Sequence, residues 1–326
     1  MKRILISLII VLFIFILYSY SKITNKKDDL DTITLSEVTH SVFYAPFYVS
    51  IEKGYFKEEG ININLVLTPG ADKVASSVLS NDANIGLSGP EATIYIYNNS
   101  GKKLLTFASL TKKDGQFIVG DCSLKNNFTM NDLKNKTILA GRSGGMPLLM
   151  FEYALKESNV EKKLVTIDTS VEFANLSSAY IANNGDFVNL FEPNASTLEK
   201  KGYGCVLSSL GNVTGNVPYT TFYAKEEYIN DNKDLIRRFN RALNKGLEFV
   251  NENDAYEISK IIHNQFIDTD ADDLITYIER YKEIDSWYKS TYINVDDYNR
   301  LVNIMLYGKT IKKRIDPSIL LTNEFN

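Results

Sequence analysis

The chain has 326 residues, 44% of them apolar and 23% charged, with a formal net charge of −4. That length fits about two domains, and the composition is that of a folded protein rather than a disordered one. A slightly acidic chain lacks the basic footprint of a nucleic-acid partner. Two cysteines and two histidines cannot build a cysteine-rich or histidine-rich metal centre.

Lys2 and Arg3 precede an apolar stretch from Ile4 to Tyr18, interrupted only by Ser7. Ser19-Tyr20-Ser21 then puts small residues at the −3 and −1 positions of a cleavage site, so residues 1–21 read as a signal peptide or N-terminal anchor. The stretch is short for a spanning helix, which needs about 20 apolar residues. Loss of this segment leaves 34 basic against 40 acidic residues, a net charge near −6. The run Thr24 to Asp29 makes 22–31 a polar spacer. The expected location is extracytoplasmic, at the cell surface or periplasm, with membrane contact only through the N-terminal segment.

From Thr32 strands and helices alternate. Thr32 to Val38 reads as a strand and Pro46 to Glu59 as a helix, with Pro46 in its first turn and Gly60 after its end. Ile61 to Leu67 alternates apolar residues with Asn62 and Asn64, a period-two strand. A helix over Ala71 to Ser80, a strand over Ala83 to Leu87 and a helix over Glu91 to Asn98 follow. Strands are expected over Leu104 to Leu110 and Gln116 to Val119. The pattern then restarts. Met130 to Lys134 reads as a helical turn, Thr137 to Ala140 as a strand, Pro147 to Glu157 as a helix, Leu164 to Thr169 as a strand, Phe173 to Ala182 as a helix and Phe187 to Phe191 as a strand. Tyr219 to Ala224 is a last strand before a largely helical tail. Such alternation predicts an α/β protein with mostly parallel sheets. Cys122 and Cys205 read most simply as two free or partly buried thiols; whether they meet depends on the fold.

The order of FYAPFYVSIEKGYFKEEGI, strand, helix and ANIGLSGPEA resembles extracellular substrate-binding proteins of ABC importers, in the nitrate/sulfonate/thiamine-pyrimidine-precursor branch. The resemblance runs from about Thr34 to Trp287. It implies a bilobed, type II periplasmic-binding-protein-like fold with two crossovers, near Lys113 to Gly120 and Asn216 to Thr221. Lobe 1 would be residues 32–116 and 219–326, and lobe 2 residues 117–218. Many relatives carry a lipid-anchor cysteine after the signal segment; none stands there in this chain.

Open α/β sheets bind ligands beyond the carboxyl ends of their strands, so the candidate site residues lie in four loops and at the crossovers. In the first loop, Phe43 and Tyr44 either stack on a flat ligand or pack the helix start, and His40 either touches ligand or is a satisfied polar residue. In the second, Gly89 permits close backbone approach and Ser88 offers a hydroxyl. Glu91 stands in the first turn of a helix, either as a carboxylate complementing the dipole or as an acceptor for a ligand's N–H groups. The third, Gly141 to Pro147, resembles the family's second-lobe ligand loop and offers Arg142, Gly144, Gly145 and Met146, or else is a structural glycine turn; Arg142 either donates to an anionic group or braces the lobe. The fourth holds Glu192 before a proline, as a cleft carboxylate or a salt-bridge partner. Asp114 and Gln116 at the first crossover and Tyr219 at the second either bind ligand or hold the hinge.

This set is rich in rings and carboxylates and poor in lysine. It suits a neutral or cationic heterocycle better than a bare oxyanion. The expected function is capture of a small, thiamine-precursor-like ligand without catalysis or cofactor, and delivery to a separate permease and ATPase. An alkylsulfonate or nitrate binder is the alternative. A pyrimidine-precursor biosynthetic enzyme is less favoured, because the cysteine-rich motif of such relatives and any G-x-S-x-G elbow are missing. A sensor or adhesion module anchored by an uncleaved N-terminus is a third class.

Overall fold

The structure is a computed structural model that describes residues 30–141 and 144–326. The signal segment, most of the spacer and Arg142 lie outside the described residues. Ten strands form two five-stranded sheets. In chain order they are β1 (Asp31–Glu37), β2 (Ile61–Leu67), β3 (Ile85–Ser88), β4 (Leu104–Thr111), β5 (Phe117–Gly120), β6 (Thr137–Leu139), β7 (Thr166–Asp168), β8 (Phe187–Leu190), β9 (Cys205–Ser209) and β10 (Thr220–Lys225). The helices are α1 (Ala45–Glu52), α2 (Tyr55–Glu58), α3 (Ala71–Ser80), α4 (Glu91–Ser100), α5 (Met146–Glu157), α6 (Leu176–Ile181), α7 (Asn194–Lys200), α8 (Leu210–Thr214), α9 (Glu226–Asp231), α10 (Lys233–Glu252), α11 (Ala255–Ile262), α12 (Ala271–Glu283), α13 (Val295–Tyr307) and α14 (Pro317–Leu320).

The first sheet runs β2-β1-β3-β10-β4 and the second β7-β6-β8-β5-β9. Both are mixed rather than mostly parallel. β1 pairs in parallel with β2 and β3, but β10 is antiparallel to β3 and β4. β6 pairs in parallel with β7 and β8, but β5 is antiparallel to β8 and β9. The reason lies in the connections. A parallel pair needs a long crossover, usually a helix. β5 and β10 instead enter each sheet directly from the other one, so they run against their neighbours.

The expected helix over Pro46 to Glu59 is two helices. Gly54 adopts a left-handed φ of 75° between them, which turns the chain before α2. The long helix α10 has Ile236, Phe239, Leu243, Leu247 and Val250 buried on one face and packs across α1. Helices α7 and α8 and strand β9 lie between Phe191 and Gly215, a stretch without a predicted element.

Cys122 and Cys205 form a disulfide, which corrects the reading of two free thiols. Gly120 lies opposite Cys205 in the β5–β9 ladder, so the turn after β5 brings Cys122 back to the start of β9. That proximity is a product of strand register across 83 residues of sequence.

Candidate functional site

Residues after β1 and β8 and before β10 meet in an aromatic cluster. Ser41 caps the short turn Val42–Tyr44 by accepting from the Phe43 N–H at 3.2 Å. This directs the buried Phe43 ring between the sheets. Its centroid lies 4.9 Å from Tyr281 of α12, 5.7 Å from Tyr219 before β10, 5.7 Å from Phe191 after β8 and 5.9 Å from Tyr44. Trp287 Nε1 donates to the Phe43 carbonyl at 2.8 Å. Gly115, in the first crossover, backs the ring so closely that a Cβ there would come within 2.8 Å of it.

Next to this cluster stands Glu91, the first residue of α4, only 2% exposed. Its Oε2 has no hydrogen-bond partner among the described residues. The carboxylate curls back over the helix start, so that a Cβ on Gly89 would fall 1.9 Å from Oε2 and 2.8 Å from Met146 Cγ. Burial raises the Glu91 pKa to about 7 against the opposing pull of backbone N–H groups of Glu91, Ala92 and Met146. Met146 opens α5 in the second lobe. One acid therefore lies where two helix N-termini from different lobes converge.

Asp114 is completely buried at the first crossover. Its Oδ1 accepts from the Gln116 N–H at 2.8 Å, while Oδ2 is unpartnered among the described residues. Burial pushes its pKa up to about 8, with the Gln116 N–H and the nearby Tyr219 hydroxyl opposing. The Tyr219 hydroxyl itself finds no hydrogen bond of normal geometry. Gln116 and Asn189 are also fully buried, and each has both amide atoms unpartnered among the described residues. Asn189 lies opposite Ile118 in the β5–β8 ladder. Strand alternation puts Gln116 on the same face as Ile118, so the two amides share one side of the second sheet. Asn189 is absent from the sequence-derived set; a lone amide within the apolar strand FVNL was its only signal.

Other candidates are committed to protein partners. His40 Nδ1 bonds Glu37 Oε1 at 2.8 Å and Nε2 bonds the Gln265 carbonyl at 2.9 Å. Tyr48 donates to Glu37 Oε2 at 2.7 Å, and Tyr48 and Phe266 flank the imidazole. Both ring nitrogens are thus occupied, and the Glu37 carboxylate raises the His40 pKa. The Ser88 hydroxyl is bonded to the Tyr223 hydroxyl at 2.8 Å. Glu192 Oε1 meets Arg280 at 2.8 Å and the Ser196 hydroxyl at 2.8 Å, while Oε2 accepts from the Ser196 N–H at 2.9 Å. Of the two readings of this carboxylate, the structure shows the salt bridge, and Arg280, its partner, was not among the candidates. Gly144 is exposed, Gly145 stands at the N-cap of α5, and Met146 is buried against Gly89.

An open depression of about 920 Å³ lies elsewhere, beside Asp121, Tyr180, Asp186 and Tyr203. It is at the starts of β6 and β8, the ends opposite those where open sheets take ligands.

A family model described as "NMT1/THI5 like" matches residues 42–255. "Putative binding protein YtlA" of Bacillus subtilis (strain 168) is 38% identical over 301 residues, which span 92% of this chain and 90% of that protein. Among solved structures, the alkanesulfonate-binding protein SsuA from Xanthomonas axonopodis pv. citri bound to MOPS superposes with a TM-score of 0.72 at 14% identity, over 90% of this chain and 99% of that one. The periplasmic nitrate-binding protein NrtA from Synechocystis PCC 6803 gives 0.61 at 13% identity, over 76% and 69%. At such identities the likeness is one of fold. The family match covers the loops from Phe43 to Tyr219, and the chain belongs to the NMT1/THI5-like family, with the bilobed fold of periplasmic binding proteins.

Proposed function

We propose that the chain is the solute-binding component of an ABC importer that holds a small heteroaromatic ligand bearing amino groups, of the thiamine-pyrimidine-precursor kind. Residues 32–116 and 219–326 form one jaw and residues 117–218 the other. The ligand then passes to a membrane permease served by a separate ATPase. The observation that carries this reading is the grouping of Glu91, Asp114 and Tyr219, all buried and all with unpartnered polar atoms among the described residues, with the Tyr219 ring 5.7 Å from that of Phe43. Buried polar groups are normally bonded, so such a set supplies acceptors and donors for a ligand. Two acids and no described ion pair to either favour a ligand that donates N–H groups. The disulfide supports export, since such bonds persist in oxidising compartments.

Anion binding is the second reading. It is favoured by the two helix N-termini without side-chain caps at Pro90 and Gly145. A thermal-shift screen of aminopyrimidines, thiamine, flavins, alkylsulfonates and nitrate separates the two. A ligand at about 100 times its Kd adds roughly 2.7 kcal/mol to stability, so aminopyrimidines are expected to raise Tm by several degrees. Stabilisation by sulfonate or nitrate alone would sink the heteroaromatic reading.

A further inference from the structure

Helices α4 and α5, of 10 and 12 residues, begin without a side-chain cap. Neither N-cap residue, Pro90 or Gly145, covers the first backbone N–H groups with its own side chain, and each helix start is a positive dipole end, the arrangement that takes anions. The carboxylate of Glu91 lies against both, close to its own N–H, that of Ala92 and that of Met146 across the lobe boundary. It is 2% exposed, and its Oε2 is unpartnered among the described residues. We propose that Glu91 closes this cleft to small oxyanions, because its carboxylate occupies the position between the two helix starts where a sulfonate or nitrate group would accept the same N–H groups. The proposal rests on the cleft being the binding site and names the residue that sets its charge preference.

Two physical effects act together. The carboxylate fills the space over Gly89, and its charge repels a second anion at short range in a poorly screened site. The titratable groups near enough to feel its charge are Tyr44 from the turn before α1, Tyr95 from α4 itself, Tyr219 just before β10 and Tyr223 from β10. Burial raises all four phenols above their ordinary range, so they stay neutral near pH 7. Asp114 reaches the group through Tyr219, and Glu37 with His40 adjoins Tyr44. Protonation of Glu91 removes its charge, so the exclusion relaxes as pH falls through about 7.

The test is calorimetric titration of the exported chain with methanesulfonate at pH 7.5 and pH 5.5, for the unmodified protein, Glu91→Gln and Glu91→Ala. Both variants are expected to bind methanesulfonate at pH 7.5 at least about tenfold more tightly than the unmodified chain, the size of one favourable helix-terminus interaction. The unmodified chain is expected to gain affinity at pH 5.5, and Glu91→Gln to show no such gain, which separates Glu91 from Asp114 and His40. The pH arm needs no variant and stands if a substitution fails to fold. Equal methanesulfonate affinity in all three proteins at pH 7.5 overturns the proposal, as does the lack of any gain on acidification or substitution. Gain of methanesulfonate by the variants, with no aminopyrimidine binding by the unmodified chain, keeps the proposal and removes the heteroaromatic function.

Discussion

Glu91 and Asp114 are acids that burial makes reluctant to ionise, with pKa values of about 7 and about 8 against ordinary values of 4.5 and 3.8. Each binds its proton more tightly folded than unfolded. The stabilisation is therefore complete below the ordinary value and is lost as pH rises through the folded one. His40, also raised from its ordinary 6.5, acts in the same direction. Stability of the ligand-free chain is thus expected to fall between pH 5 and pH 8 in urea unfolding. Glu91→Gln should remove on the order of 3 kcal/mol of that fall; an unchanged slope in this variant would assign the titration to other groups. At this scale the sequence left each of Glu91, a helix-start acid, and Glu192 and His40, polar residues at strand ends, with both a ligand role and a structural one. What separates them is long-range. Arg280 satisfies Glu192 from 88 residues away and Gln265 occupies His40 from 225 residues away, whereas Glu91 meets only backbone N–H groups and phenols.

Helix α12 carries Asp273, Tyr277, Arg280 and Tyr281 at a spacing that aligns them on one face. That face meets α7 and the turn before it. Lys200 bonds Asp273 at 2.7 Å, Arg280 bonds Glu192 and also Glu199, and the Glu192 N–H donates to the Tyr281 hydroxyl at 3.0 Å. The exposed lysine pair contributes little. The buried Arg280–Glu192 pair differs, because removal of one partner strands the other charge. Arg280→Ala is expected to cost about 3–5 kcal/mol, and the double change Arg280→Met with Glu192→Leu to recover most of it. Denaturant midpoints of the single and double variants check this; equal losses in both would show that packing, not charge, dominates. Loss of the disulfide through Cys122→Ser with Cys205→Ser should cost roughly 4 kcal/mol, from the entropy of the long loop it closes. The same melts measure it, and a loss under about 1 kcal/mol would mean that the unfolded chain gains little freedom. Elements with clear periodicity, such as Ile61–Leu67 and Ala71–Ser80, were legible to the residue. The short α7, β9 and α8 were not, because they hold too few residues to show a period.

Contacts between segments far apart in the chain lie on both sides of Gly89 as well as at it. On one flank α12 meets α7. On the other α13 packs on α5, where a Cβ on Gly308 would lie 2.8 Å from Leu149 Cδ1 and the Tyr153 and Tyr307 rings stand 6.3 Å apart. At the centre Met146 presses on Gly89. Gly89→Ala forces Glu91 or Met146 to move, since the added carbon has no room between them. The variant is expected to bind its ligand about tenfold more weakly and to show a larger radius of gyration in solution scattering. Unchanged affinity and size would mean that both side chains shift without opening the lobes.

The sequence by itself determined the alternation of strands and helices and the α/β class, because those follow from local periodicity and from turn residues; the bilobed arrangement entered through the family resemblance. Tertiary structure alone decided that the sheets are mixed, that Cys122 meets Cys205 and that Glu192 belongs to Arg280. Each of these is a contact between residues far apart in the chain, set by strand register and lobe packing, and neither leaves a periodic trace in the sequence. At Glu91 the two levels coincide: a helix-start acid legible in sequence is, beside Met146 of α5, an acid shared by two helix ends.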